Sequence, residues 1–467
     1  MKKNSFLMKA ALALGVALGA MPVAASAQAY DPKEDYKNLD IQFYNDEQPD
    51  EGFYINAAAN YVLDTVTNPT VGSTSGEWSV MDLARGGYTG FDYVNRLNAS
   101  DFNARYLANL ENYIGTKNGV LSTTKSTEYS RVMLALSALN KEANPVGNTG
   151  LAMVDHLNKS FNFSKKQGIN GPIWELIALN TKKYEFSDTT GLGDLNTKGK
   201  MLDHILNAEV SGGGWSLFGA ADPDITGMAL QALAPYYNHL SAYEATGAEK
   251  PYKELVEKVE RGIFKLSKLQ ADNGGYNAWG NVNAESTAQV IVALTELGKN
   301  PKAQHINLPT INETALFNNQ TATQDGVTTG NMVDALLTFY AAGSGQAVNS
   351  GGFRHVTTGN DGGGGAGTTV NAMATDQVLY ALIAYDRHKH NASTLYDMTD
   401  AQNHYDAKSY TVTYVFKNNT TTSVNYAPYA AVDLLDRAAT WATDKGVTYT
   451  STETLAMPEQ NITLYEQ

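Results

Sequence analysis

Apolar residues recur along this chain at helical spacing, and they do so in two styles. In "DPDITGMALQALAPYY" (222–237), Ile225, Met228, Ala229, Ala232, Leu233 and Tyr236 fall at i, i+3, i+4 and i+7 positions, the stripe of a helix. The same small-plus-Leu step returns in "GEWSVMDLARGG" (76–87), "STEYSRVMLALSALN" (126–140), "NGPIWELIALN" (170–180), "AESTAQVIVALTELG" (284–298) and "ATDQVLYALIAYDR" (374–387). The intervals between these stretches run from about 40 to about 90 residues, a repeat built from helix pairs with unequal loops. Several are apolar nearly all round, so their helices must be covered on most sides.

Between them lie helices of the other style. "YKELVEKVERGIFKLSKL" (252–269) places Leu255, Val256, Val259, Ile263, Phe264 and Leu266 on one face and most of its charges on the other. Alternation of half-buried and wholly buried helices predicts two concentric layers. Six pairs can be counted, so the expected fold is mainly α, an (α/α)6 toroid of six helical hairpins. The links carry glycine plus an aromatic: "GEW" at Gly76, "GGGW" at Gly212, "GGY" at Gly274 and "GGF" at Gly351. Glycine there permits a positive φ. Trp78, Trp215, Tyr276 and Phe353 are read as plugs between neighbouring hairpins.

The pattern changes near residue 400. "YTVTYVF" (410–416) alternates β-branched and aromatic residues as a strand does, and "TLAMPEQNITLYEQ" ends the chain as another. Three segments follow: a signal peptide at 1–29, helical hairpins at 30–400, and a small β-rich module at 405–467. The first rests on lysines followed by the apolar run Ala10–Ala20 and then small residues. Export and a secreted or cell-surface location are the expectation, with no spanning segment in the mature chain.

Composition narrows the chemistry. Of 467 residues, 43% are hydrophobic and 10% aromatic, ample for a packed core, and none is cysteine. Cysteine nucleophiles, disulfides and thiolate zinc sites are excluded. The net charge is −14, and loss of Lys2, Lys3 and Lys9 with the leader makes it −17. That balance argues against nucleic acid or anionic lipid as partner.

"LQADNGGY" (269–276) and "GGGWSLFGAADPDITGMALQAL" (212–233) resemble the repeats of the squalene cyclase and protein prenyltransferase superfamily, over roughly residues 51–396. The C-terminal tail resembles the small β repeats of bacterial surface proteins. The resemblance implies an α/α toroid, a scaffold that serves terpene cyclases, prenyltransferase β subunits, complement thioester domains and cobalamin carriers. It also gives Asp222 and Asp224 a possible catalytic meaning. Class II terpene cyclases protonate an alkene with the middle Asp of an Asp-x-Asp-Asp-Thr-Ala motif, to which Asp222-Pro223-Asp224-Ile225-Thr226-Gly227 is similar. Asp224 would be the proton donor, with Ile225 departing from the pattern. The plainer reading makes Asp222 an N-cap ahead of Pro223.

In a toroid the inner helices aim their N-termini at one end. Glu128, Asn170, Trp174, Asp222, Asp224, Thr226, Glu285 and Asp376 would then line a ligand mouth. No metal site and no obligatory cofactor is expected. "RHKH" (387–390) is read as basic residues favoured at a helix end, and "GNDGGGGAGTT" (359–369) as a flap or loop. The leading function is a non-catalytic, carrier-like binding protein for a small apolar or corrinoid-like ligand, or for a surface protein or glycan. The alternatives are a cyclase-like enzyme working through Asp224, and a structural surface protein.

Overall fold

The segment Ala284–Glu296 shows why the inner helices form: every residue from Ala284 to Thr295 is buried, so apolar and small side chains meet neighbours on all sides. Six such helices are labelled here α1 (Glu77–Gly86), α2 (Ser126–Ala138), α3 (Asn170–Thr181), α4 (Pro223–Leu233), α5 (Ala284–Glu296) and α6 (Ala372–Lys389). The computed structural model describes residues 51–467 except 89–90, 279, 319–321, 325–326, 346–349, 360–366, 402–409, 427–430, 433, 435–439, 444–445, 451–454 and 457–460. The expected signal peptide (1–29), residues 30–50 of the expected helical segment and most of the glycine-rich loop therefore lie outside the described residues.

Each inner helix packs on the next, and α6 returns to α1, so the six close a ring. Hydrogen bonds between neighbours show that they run parallel. Near the starts, Ser79 Oγ of α1 donates to Asp376 of α6. Midway, Gln231 of α4 donates to Gln289 of α5. At the far end, Thr181 Oγ1 of α3 donates to Ser137 Oγ of α2, and the Tyr236 hydroxyl just beyond α4 donates to Asn180 of α3.

The outer layer is less regular than six hairpins would require. Four full helices precede inner ones: Glu51–Thr65, Phe102–Thr116, Lys198–Asn207 and Tyr252–Leu269. The third outer position holds only Met153–Asn158 and Phe161–Ser164. The sixth holds Met332–Leu337 beside the short hairpins His305–Leu308/Glu313–Leu316 and Tyr340–Ala342/Gly351–Phe353. The chain explains both departures. Pro145, Gly147 and Gly150 consume the third segment, and the sixth is rich in Thr, Asn and Gly, which are poor helix formers. Tyr252–Leu269 buries Leu255, Val259, Ile263 and Leu266 as expected and half-buries Val256 and Phe264, whereas Glu260, expected on the wet face, is buried and accepts from Ile311 N–H. Gly262 of this helix is required, because a Cβ there would stand 2.9 Å from the Trp215 ring.

The links are stapled more specifically than an aromatic plug. Trp215 N–H donates to Thr226 Oγ1 (2.9 Å), Tyr276 N–H to Thr287 Oγ1 (3.0 Å) and Phe353 N–H to Thr375 Oγ1 (2.9 Å). Each threonine sits in the first turn of its inner helix, four residues after an N-cap: Asp222, Asn283 or Asn371. Trp215, Tyr276 and Phe353 are fully buried, as their staple role demands. Trp78 differs. It lies inside α1, half-buried, with its ring 5.2 Å from Trp174 and 6.0 Å from Tyr380. It belongs to the ring interior and not to a link.

Arg387 lies in the last turn of α6, as expected of a basic residue at a helix end, and makes further contacts there. It is fully buried, stacked on Tyr88, and ion-paired with Asp400, which also pairs with Arg85. This clamp ties the first and last inner helices to the chain that leaves them.

The C-terminal residues form a separate small core around Val412, Tyr414, Trp441 and Leu464. Its sheet comprises β1 (Tyr410–Val415), β2 (Thr421–Tyr426), β3 (Trp441–Thr443), β4 (Thr448–Tyr449) and β5 (Ile462–Glu466) in the order β2-β1-β5-β3-β4. β5 pairs parallel with β1 and antiparallel with β3. The molecule is thus mainly α with a small β-rich part.

Candidate functional site

The N-terminal end of the ring gathers the acids that begin the inner helices. Asp222 Oδ1 accepts from Ile225 N–H at 2.8 Å, with Pro223 next, so it is the N-cap of α4. Burial pushes its carboxyl up to about 6, against the pull of the backbone N–H groups. Replacing Asp222 with Ala should cost about 1 kcal/mol in urea unfolding, and Asp222→Asn should be nearly neutral. A loss of binding with no loss of stability would contradict the capping role.

Asp224 has a different environment. Its Oδ1 is buried with no hydrogen bond of standard geometry, and the Ser286 hydroxyl lies near enough to pull the carboxyl down in part. Burial, and then the negative charge of Asp222, raise its carboxyl to about 7. Glu285 occupies the equivalent position of α5, two residues after its cap. Its Oε2 meets His355 Nδ1 at 2.5 Å, while Oε1 is buried without a partner. Asp222, Asp224, Glu285 and His355 therefore form one cluster.

The other expected residues distribute unevenly. Thr226 is committed to the Trp215 backbone through two hydrogen bonds and is fully buried, so it is structural and not part of a mouth. Asp376 is only 1% exposed and lies inside the ring, where both its oxygens accept from Ser79. Burial raises it to about 7. Trp174 stands over the interior against Trp78 and Tyr396. Asn170, at the start of α3, is buried with Oδ1 unpaired. Glu128, in the first turn of α2, is half-buried and 4.0 Å from Lys125.

Further along the inner helices lies a polar belt that sequence reading did not anticipate. Gln231 Nε2 donates to Gln289 Oε1 (2.9 Å), and Gln289 Nε2 reaches both Gln377 Oε1 (3.1 Å) and the Tyr380 hydroxyl (2.6 Å). The available signal was one glutamine in each of three successive inner helices. Asp82 was also missed. It is fully buried one turn after Trp78, neither of its oxygens has a partner, and burial with the nearby Asp376 raises it well above the usual carboxylate range. His355, two residues beyond Phe353, carried no signal at all.

No group of three or more His, Cys, Asp or Glu side chains among the described residues could hold a metal ion. Among those residues, too, no helix is long and apolar enough to cross a membrane.

No protein-family profile matches the chain, and no curated protein matches it. Among solved structures, a crystal structure of haptocorrin in complex with Cbi aligns over 89% of this chain and 96% of that one. The identity is 13% and the TM-score 0.45. A likeness that loose assigns neither a function nor a residue.

Proposed function

We propose that the chain is an exported, non-catalytic ligand-binding protein of the carrier kind. In this reading its ring is an α/α toroid related to the squalene cyclase and prenyltransferase repeats, and the ligand docks at the N-terminal end. The observation that supports it most is the set of buried acceptors without partners at that end: Asp224 Oδ1, Glu285 Oε1 and Asn170 Oδ1. Unmet acceptors cost stability in an isolated protein, and donors on a ligand would offset that cost. Half-buried Trp78, Trp174 and Met228 supply the apolar surface such a site needs. The fitting ligand is a compact, largely apolar frame edged with amide N–H or hydroxyl donors. A corrinoid has that chemistry and is the first ligand to try.

One observation favours a second reading. A carboxyl held near 7 at the position of a cyclase proton donor could deliver a proton. Incubation with squalene and with shorter prenyl chains separates the two. The binding reading expects no cyclised product from either the wild type or Asp224→Asn. Cyclisation by the wild type that disappears in Asp224→Asn would establish the enzyme instead.

A further inference from the structure

At the opposite end of the ring, where the inner helices finish, is a pocket of about 410 Å³. That size suits a small organic molecule. Its walls come from well-separated parts of the chain, and its chemistry is lopsided. Phe186, Tyr236 and Tyr396 bring aromatic surface, while Gln231, Glu296 and Asp397 bring acceptors. Glu296 accepts from the Thr394 hydroxyl (2.8 Å) and from Tyr396 N–H (3.1 Å), which leaves lone pairs on both oxygens. Gln231 Oε1 is buried with no partner.

The cations nearby are mostly engaged. Lys198 pairs with Glu185 at 2.6 Å. Arg85 is used by Asp400 and by the carbonyls of Thr394, Leu395 and Asp397. Lys183, which also lines the pocket, is exposed to solvent. Glu296, Asp397 and Gln231 thus set acceptors among the aromatic rings, with Lys183 at the solvent-exposed side.

We propose that this pocket is a second ligand site, for a small aromatic amine whose ring meets Phe186, Tyr236 and Tyr396 and whose ammonium meets Glu296 and Asp397. Aromatic faces and carboxyl oxygens both attract a cation, and together they select it over an anion on the same ring. The pocket lies at the other end of the inner helices from Asp224 and Glu285, and the proposal stands whether or not the reading of that end holds.

The test uses tryptamine and indole-3-acetate, which share a ring and differ in charge, titrated by calorimetry into the full chain. Tryptamine should bind at least tenfold more tightly than indole-3-acetate. Ala245 lines the pocket on its exposed rim, so Ala245→Trp should fill the space without disturbing the core. Tryptamine affinity should fall at least tenfold in that variant, and Glu296→Gln should narrow the preference between the probes. Thermal unfolding of each variant checks the fold, and Ala245→Trp alone decides if Glu296→Gln is unstable. No tryptamine binding, equal binding of both probes, or unchanged binding in Ala245→Trp would overturn the proposal. So would loss of tryptamine binding on replacing Asp224 and Glu285 with Ala, because the amine would then sit in the mouth.

Discussion

Asp400→Ala should destabilise the helical ring by about 3 kcal/mol, the lower end of what loss of one partner from a buried ion pair costs. The reason lies in what remains. Arg85 is 3% exposed and Arg387 fully buried, and Asp400 is the carboxylate between them. Burial and the charge of Arg387 already hold the Arg85 guanidinium down to about 10. Without Asp400 two like charges would face each other in the protein interior. Asp400 itself is 32% exposed, so solvent screens part of the loss and places the figure low in the range. Asp400→Asn keeps an acceptor and should cost less than Asp400→Ala. Urea unfolding followed by far-ultraviolet circular dichroism gives both numbers. A change below about 0.5 kcal/mol for Asp400→Ala, the usual scale of surface substitutions, would show that the clamp does not close the ring.

Stability should fall as pH rises from about 5 to 7.5, the reverse of the usual behaviour of salt-bridged carboxylates. Burial raises Asp222 to about 6 and Asp224, Glu175, Glu296 and Asp376 to about 7. A carboxyl whose folded pKa exceeds its unfolded value stabilises fully below the unfolded pKa. That contribution is lost as pH climbs through the folded one, by about 1.4 kcal/mol per pH unit for each proton the folded state retains in excess. His156, His204 and His388, all lowered by burial, act in the opposite sense below about 6.5. Glu51, lowered to about 2, contributes stability above its unfolded pKa and loses it as pH falls toward 2. Burial raises it, but its bonds to Lys302 and Lys389 outweigh that effect. The carboxyls outnumber the histidines, so the urea midpoint should be higher at pH 5 than at pH 7.5. A flat or rising profile over that span would mean these carboxyls are hydrated in the folded protein.

The ring was legible where a physical rule acts on neighbours in sequence. Apolar stripes located all six inner helices, and the Asp-Pro pair marked the Asp222 cap, because capping is a local hydrogen bond. The outer layer was less legible. Segments 141–169 and 299–371 still bury apolar residues but lack the helix formers for a long helix, and a count of repeats does not register that. Thr226 was misread because its partner, the Trp215 backbone, lies eleven residues back across a turn. Asp82 was invisible for a more general reason, and the glutamine belt showed only as one glutamine in each of three successive inner helices. On a helix that is apolar nearly all round, no stripe marks the faces, so a polar residue that faces the ring interior has the same sequence context as one against the outer layer. The C-terminal pocket is assembled from residues 177 to 397, and no single stretch announces it.

The central claim is that the N-terminal mouth holds a ligand. Native mass spectrometry of the protein without residues 1–29, after exposure to a culture extract and desalting, tests it most directly. The comparison is with a double variant, Asp224→Ala with Glu285→Ala, that removes two of the unpaired acceptors and is first shown to unfold at a similar temperature. The account predicts a discrete non-covalent mass on the wild type that is absent from the variant. A wild type that retains nothing, or the same mass on both proteins, would contradict it.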